Sequence, residues 1–593
     1  MNIDDIAAPE PLATVSGHIN TTPQGPQGTV RGVNSTEPEI IRHTEPATSA
    51  NSTDQGADVL ADSPGSLHLL WSRAAGGEPH YFGASSALSF TKVFSATLRA
   101  VGVHGPGLTM SGTSLVSPDL RSRVEPYSLP DQESMSLLTA AYFEQVHPQF
   151  PFLHHPTYMQ WEAEVMDARR RGIAPDPAHL FFVFAIGAVG ALTVPRADTK
   201  LPEGLYSSAE RLFEHVINLN SLKSIQAILC CAMYSIRSPV GVSTWILSGL
   251  ALRQCVEMGL HRRNLWSRTD SNPLKTQMRR RIFWCCYNLD RAMAITLGRP
   301  VGINDVDVDV EYPLDIDDDC LTEHGINGTP RTSVDVPATT VSSAIHTIRI
   351  RQIWGRMQAL LYPQIGVGAT PMMSVMLEES FRSELKKWLE EAPNQLNTNE
   401  RHNNTFGSEE WFELMYQHSI LILHRHKLVA IRSSVGETEE AAAVYIECGL
   451  AAERICQLYK KLYTDHRLND TWGALHVLFL GGITFLYCLW MSPKARATFR
   501  LDRISSTCSS CMMLFAVMAE RWKAAEPYRE CFDVLSSSTQ AMMVDSLTTM
   551  GPPSPSMPLL LTSPQGQLPD FLSSIAEIGM CSSVEALLSG MIE

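Results

Sequence analysis

Three absences bound what this 593-residue chain can be. No cysteine precedes Cys230, no aromatic residue precedes Trp71, and no Lys, Arg or His follows Arg529. Without cysteine, the segment ahead of Cys230 holds neither a thiolate zinc module nor a disulfide framework. Residues Met1 to about Leu70 lack aromatics and are rich in Thr, Ser, Pro, Gly and Asn. Such a segment buries too little apolar surface to offset the entropy of ordering, so it is expected to be disordered. Basic runs are scarce: the chain has 47 Lys and Arg against 62 Asp and Glu, a net charge of −15. Binding through a broad surface to nucleic-acid phosphate needs Lys and Arg, so this balance argues against a chain whose main face embraces DNA or RNA. The start, Met1-Asn2-Ile3-Asp4-Asp5, is acidic where a secretory signal is basic, and an intracellular, reducing compartment is expected.

Catalytic signatures are missing as well. There is no Gly-x-Ser-x-Gly elbow, no phosphate-binding Gly-rich loop and no His-Glu-x-x-His. Asp305, Asp307 and Asp309 alternate with valines but lack the glycine and closing glutamate of a calcium loop. His147, His154 and His155 lie close in sequence without a further donor, so packing or capping roles are expected. His424 and His426 are two apart on a helix and point in different directions, against joint ligation. Cys508 and Cys511 form a lone Cys-x-x-Cys inside an apolar run, which reads as structural. No catalytic, cofactor-binding or metal-ligating set is assigned, and an enzyme is not the expected class.

What is present is helix. Hydrophobic residues make up 44% and charged residues 18%, a composition with a sizeable core. The central stretch runs Arg279-Arg280-Arg281-Ile282-Phe283-Trp284-Cys285-Cys286-Tyr287-Asn288-Leu289-Asp290-Arg291 to Gly298-Arg299-Pro300. Pro273 suits a first helical turn, Gly298 a left-handed cap, and Pro300 forbids continuation. Ile282, Cys286, Leu289, Met293 and Leu297 fall at helical spacing, so one face is core. Asp290 and Arg291 sit inside this apolar run and must be paired internally. The following Asp305–Val310 alternation predicts a short extended segment.

Further helices are expected over Ile225–Tyr234, Trp245–Met258, Ile345–Leu361, Leu377–Leu389, Trp411–Val429 and Ala441–Tyr463. Gly249 would let a neighbouring helix approach, and Gly259 would cap its helix with Leu260 packed behind it. Trp472–Met491 has the length of a membrane span and no charge. His476, the break expected at Gly481-Gly482, Pro493 and weakly basic flanks favour a buried core helix instead. Beyond Cys531, acidic and bulky apolar residues interleave, as in Asp570-Phe571-Leu572-Ser573-Ser574-Ile575-Ala576-Glu577-Ile578. That is the composition of an acidic activation segment, with a docking helix as the alternative.

The block from Arg279 to Pro313 resembles the signature of the fungal-specific transcription factor domain, the middle homology region of fungal zinc-cluster regulators. Tyr81-Phe82-Gly83-Ala84-Ser85-Ser86 is similar to the Tyr-x-Gly-x-Ser-Ser element of that family. Tyr142-Phe143, His147-Pro148 and Pro151-Phe152-Leu153-His154 resemble the opening of its domain. Gly249-Leu250-Ala251 with Met258-Gly259-Leu260-His261-Arg262, and Arg521-Trp522 with Tyr528-Arg529, complete a likeness reaching from Tyr81 to Leu535. The expected architecture is all-α, one large helical domain with disordered N- and C-terminal tails. It divides into a disordered segment 1–70, a linker 71–130, the helical domain 131–535 and an acidic–hydrophobic tail 536–593.

The resemblance implies a nuclear, pathway-specific transcriptional regulator, such as the regulator of a secondary-metabolite gene cluster, that contacts the transcription machinery. The family's six-cysteine DNA-binding module does not occur in this sequence. Either DNA contact is indirect, through a partner such as a zinc-cluster protein, or the module lies in an N-terminal part missing from the chain as given. Arg169-Arg170-Arg171 and Arg279-Arg280-Arg281, the compact basic triplets, match no known DNA-reading motif. A membrane-anchored helical protein using Trp472–Met491 is the competing class.

Overall fold

Helices account for nearly all regular structure in the computed structural model, which describes residues 125–548 apart from 195–199, 239–240, 264–271, 363–370, 394–404, 432–437, 469–470 and 523–524. It also describes residues 69–71, 79–81 and Ser86. Leu69–Trp71 (β1) and Pro79–Tyr81 (β2) form an antiparallel pair with Leu69 opposite Tyr81. This hairpin takes in Leu69 and Leu70 from the segment expected to be disordered. Apart from Tyr81 and buried Ser86, the Tyr-x-Gly-x-Ser-Ser element lies outside the described residues, as do residues 1–68 and the acidic–hydrophobic run from 549 onward.

The first half of the helical body comprises α1 (Gln132–Gln145), α2 (His155–Arg171), α3 (Pro177–Thr193), α4 (Lys200–Ile217), α5 (Leu222–Ser235) and α6 (Thr244–Glu257). Their starts follow local chemistry. Asp131 accepts from the Ser134 N–H at 2.9 Å, and Asp176 accepts from Ala178 and His179 ahead of Pro177. At the centre lies α3, apolar all round: Phe181, Phe182, Val183, Ile186 and Val189 are all inaccessible. α1 crosses it so closely that a Cβ at Gly190 would fall 2.1 Å from the Leu138 carbonyl oxygen.

The second half repeats the plan with other helices: α8 (Ser342–Leu361), α9 (Pro371–Glu390), α10 (Glu409–Ile431), α11 (Glu439–Thr464), α12 (Trp472–Met491), α13 (Pro493–Thr498), α14 (Leu501–Arg521) and α15 (Glu526–Thr548). Its central apolar helix is α12, capped by Thr471 on the Ala474 N–H at 3.1 Å. Among the described residues it alone is long and apolar enough to cross a membrane, and most of it is buried within the helical body. Gly481 and Gly482 do not break it, contrary to expectation; the helix is continuous. The pair instead opens room for neighbours, since Cβ atoms there would meet Ile455 of α11 at 3.0 Å and Phe532 of α15 at 2.6 Å. α15 carries the helical body past Leu535 to Thr548, so the first residues assigned to the tail are helical.

One helix belongs to both halves. α7 (Pro273–Leu297) gives Ile282, Phe283, Trp284, Cys285, Cys286, Tyr287 and Leu289 to the first core and Met293, Ile295 and Leu297 to the second. Asn272 caps it on the Lys275 N–H at 3.0 Å, and Gly298 ends it at φ 67°. Gly259 ends α6 in the same way, with Leu260 buried behind it. The close neighbour expected at Gly249 is not there: nothing lies within 4 Å of its would-be Cβ. The ends of the two halves are tied directly, Trp472 N–H donating to the Ile236 carbonyl and the Trp522 indole to that of Arg237.

Candidate functional site

The chain's signature block, α7 with the loop after it, forms a charged node where the two cores meet. Arg281 lies on the α7 face shared with Cys285 and Asn288 and is only 1% exposed. Its Nη1 donates to Asp318 at 2.5 Å, and Asp318 is 4% exposed. The same carboxylate accepts from the His155 N–H at 2.8 Å and lies 3.4 Å from His147 Nε2, while its backbone oxygen is 3.0 Å from His154 Nε2. Burial alone would raise the Asp318 pKa. Arg281, with His147 and the His155 N–H, outweighs that and holds the carboxyl well below the usual carboxylate range. Burial lowers His154 and His155, keeping them neutral. One carboxylate therefore fixes the end of α1, the start of α2 and the middle of α7.

A second cluster lies two turns along. Arg291 Nη2 donates to Asp305 at 2.7 Å and to the Ile303 carbonyl at 2.7 Å, and its guanidinium stacks 4.3 Å from the Tyr287 ring centroid. Tyr287 donates to the same Asp305 oxygen at 2.6 Å. Asp290 accepts from the Gly302 N–H at 2.9 Å, with Arg291 Nη1 at 3.4 Å. Burial raises the Asp290 carboxyl against the pull of those two donors. Asp290 and Arg291 are buried as the sequence implied, but their main partners are Gly302 and Asp305. That capture also explains a departure from the expected extended run. Asp305–Asp307 closes a 3₁₀ turn with Val306 fully outside, and the backbone extends only from Val308.

The two basic triplets differ: Arg279–Arg281 is largely buried or paired, whereas Arg169–Arg171 is exposed. Arg280 pairs with Glu311, Arg281 with Asp318, and Arg279 is buried. Arg169 donates to the Leu129 and Pro130 carbonyls, and Arg170 and Arg171 pair with Asp167. The other flagged side chains are dispersed. His424 and His426, expected to diverge, both approach Glu378, at 4.0 and 3.9 Å, where Lys427 sits closer at 2.7 Å. Cys511 meets Cys456 at 3.1 Å, and Cys508 is not its partner. Twelve described cysteines are free thiols, all buried but Cys320. Burial raises Cys508 to about 11 and Cys531 to about 12. Among the described residues no group of three or more His, Cys, Asp or Glu is placed to hold a metal. The sequence reading missed the Arg281–Asp318 pair. Arg281, Cys285 and Asn288 at spacings of four and three would have marked a buried face with an arginine on it.

Residues 139–402, a span that contains this whole node, match the family model described as "Fungal specific transcription factor domain". The chain is 24% identical over 591 aligned positions to a "Positive regulator of purine utilization" of Emericella nidulans, covering 80% of this chain and 54% of that protein. It is 28% identical to "Pyrimidine pathway regulatory protein 1" of Saccharomyces cerevisiae, covering 57% of this chain and 37% of that one. Against the "Transcriptional activator protein acu-15" of Neurospora crassa it is 24% identical over 69% of this chain and 44% of the relative. The chain thus spans about half the length, or less, of these curated relatives. From the middle of α1 to the residues ahead of α10, this chain is similar to the fungal specific transcription factor domain.

Proposed function

We propose that the chain is a nuclear, pathway-specific transcriptional regulator whose helical body is the regulatory part and whose C-terminal acidic–hydrophobic segment recruits the transcription machinery. The observation that carries this reading is the match over residues 139–402, which takes in α7 and both charged clusters. Relatives named as regulators of purine utilization and of the pyrimidine pathway support control of one metabolic pathway, such as a metabolite gene cluster. Sequence-specific DNA reading needs side chains at base edges and cations at phosphates. In this sequence Arg279 and Arg281 are buried and Arg280 is paired with Glu311, while Arg169, Arg170 and Arg171 are exposed and bonded locally, with no aromatic or base-reading side chain beside them in the sequence motif. The DNA address then comes from a zinc-cluster partner or from a module outside this sequence. No step of this reading calls for catalysis.

The test has two arms. Residues 549–593, fused to an unrelated DNA-binding domain, are expected to activate a reporter; a silent reporter removes the recruiting role from that segment. The purified chain is expected to bind its target promoters no better than random DNA at physiological salt. Tight, sequence-specific binding by this chain alone would overturn indirect DNA contact.

A further inference from the structure

Away from the node, α11 and α14 diverge over a groove of about 300 Å³. Its walls carry Lys460 and Gln457 from α11 and Arg503, Ser506 and Thr507 from α14, above the Glu453 carboxylate. Glu453 is only 3% exposed and holds the Arg503 guanidinium through Nε at 3.0 Å and through Nη2. Two of the three guanidinium nitrogens are thereby fixed, and Nη1, with two further N–H groups, remains for a ligand. The Phe499 ring backs the same guanidinium at 5.6 Å, which limits its rotamers. Lys460 has no ion-pair partner among the described residues. Lys460 and Arg503 therefore face a concave space from opposite helices, and a third lining cation, Lys461, is held by Glu410 at 2.6 Å, in a chain whose overall charge is −15. The rest of the lining, Gln457, Thr464, Ser506, Thr507 and Ser510, supplies an amide and four hydroxyls, which can both donate and accept.

We propose that this groove binds a small hydroxylated anion whose charged head is a phosphate or a carboxylate. The head would lie between Arg503 Nη1 and Lys460, and the hydroxyl-bearing body along Gln457, Ser506 and Thr507. A volume near 300 Å³ is at the low end of small-molecule sites, which fits a sugar-sized metabolite and leaves no room for a dinucleotide. The preorganised guanidinium favours binding, because its ordering is already supplied by Glu453. The proposal concerns binding alone and stands apart from the transcriptional reading.

The experiment is calorimetric titration of the full chain with ribose 5-phosphate, with ribonate and with ribose. One or both anions are expected to bind saturably with one site per chain, and the neutral sugar not at all. Whichever anion binds more tightly identifies the head group. Lys460→Glu, at an exposed position, should leave the melting temperature of the unliganded protein in place and weaken the bound anion at least about tenfold, the equivalent of about 1.4 kcal/mol. Thr507→Val should weaken it less. The proposal is overturned if no probe binds, if ribose binds as well as the anions, or if anion binding is indifferent to Lys460→Glu.

Discussion

In the first half of the molecule buried charge meets buried charge. Arg281 and Asp318 are both all but inaccessible, and Asp290 and Arg291 are 3% and 1% exposed. In the second half the helix-tying ion pairs keep one or both partners partly in water, as in Arg454–Glu413, Arg356–Glu384 and Arg382–Glu447. The ionisable groups that go deepest there include neutral histidines set against aromatic rings. His346 stacks on Trp388 at 4.4 Å, His418 meets Trp354 edge-on at 4.9 Å, and His476 lies 3.9 Å from the Trp472 ring. Both halves wrap an apolar helix, so gross stability has the same source in each. The difference is in what fixes geometry. The first half sets the register of α1, α2 and α7 on one carboxylate, whereas the second sets its helices by ring packing and glycine-permitted approach. The buried pair costs desolvation but admits few alternative arrangements, and that suits the helix shared by two cores.

The largest expected effect comes from breaking that pair on one side. Arg281→Ala leaves the Asp318 carboxylate buried with only histidines and one N–H for company, and should destabilise the chain by about 3–5 kcal/mol in urea unfolding. Asp318→Ala strands the arginine and should cost about as much. Asp290→Ala should cost less than either, because Arg291 keeps Asp305 and the Ile303 carbonyl. If Asp290→Ala equals Arg281→Ala, the ranking of the two clusters is wrong.

The second half should be the more sensitive to mild acid. Burial holds His476 down at about 4, His346 at about 3 and His426 at about 4, all from 6.5. A histidine with a depressed folded pKa binds fewer protons in the native state than in the unfolded state between those values. Its stabilisation is therefore whole above pH 6.5 and is lost as pH falls towards 4. For His476 the interval corresponds to on the order of 3 kcal/mol. The ring's Nδ1 donates to the Trp472 carbonyl, which can only accept, and Nε2 is 3.0 Å from the Tyr528 hydroxyl, so the neutral tautomer is the one that fits. His476→Gln should lower stability at neutral pH and flatten its decline between pH 6.5 and 4. A variant with the same pH slope as the natural chain would show that His476 does not titrate on unfolding.

Much of the fold was legible because its signals are local. Pro273 and Gly298 bound α7 from the sequence, and the charge-free run Trp472–Met491 matches α12 end to end. What was illegible is long-range. Arg281 and Asp318 are 37 residues apart, and nothing in either neighbourhood names the other. The sequence marks Gly249 as a point of close helix approach and Gly481-Gly482 as a break, yet the first faces open space and the other two lie in a continuous helix against Ile455 and Phe532. The acidic alternation after Asn304 predicts a short extended segment because its period of two is clear. The bonds from Arg291 and Tyr287 to Asp305 override it. The groove between α11 and α14 had no sequence signal, since its two walls come from helices that periodicity treats separately.

Distance alone does not set the worth of a pair, and the sharpest control is geometric. Arg454 grips Glu413 through two bonds, 2.5 Å from Nε and 2.6 Å from Nη2, tying α11 to α10. The shorter of these equals the Arg281–Asp318 distance. The difference is water: Arg454 is 43% and Glu413 27% exposed, against 1% and 4% at the node. In water each ion is nearly as well solvated apart as together, and two long side chains lose rotamer freedom on pairing. Glu413→Ala should therefore cost only about 0.5–1 kcal/mol, at the upper end for exposed pairs because the contact is bidentate. Added salt should shrink that cost through screening. The cost of Arg281→Ala should barely respond to salt, because no counter-ion reaches the buried Asp318. A salt-independent loss above about 2 kcal/mol for Glu413→Ala would mean that geometry outweighs burial, and the contrast between the halves would fail.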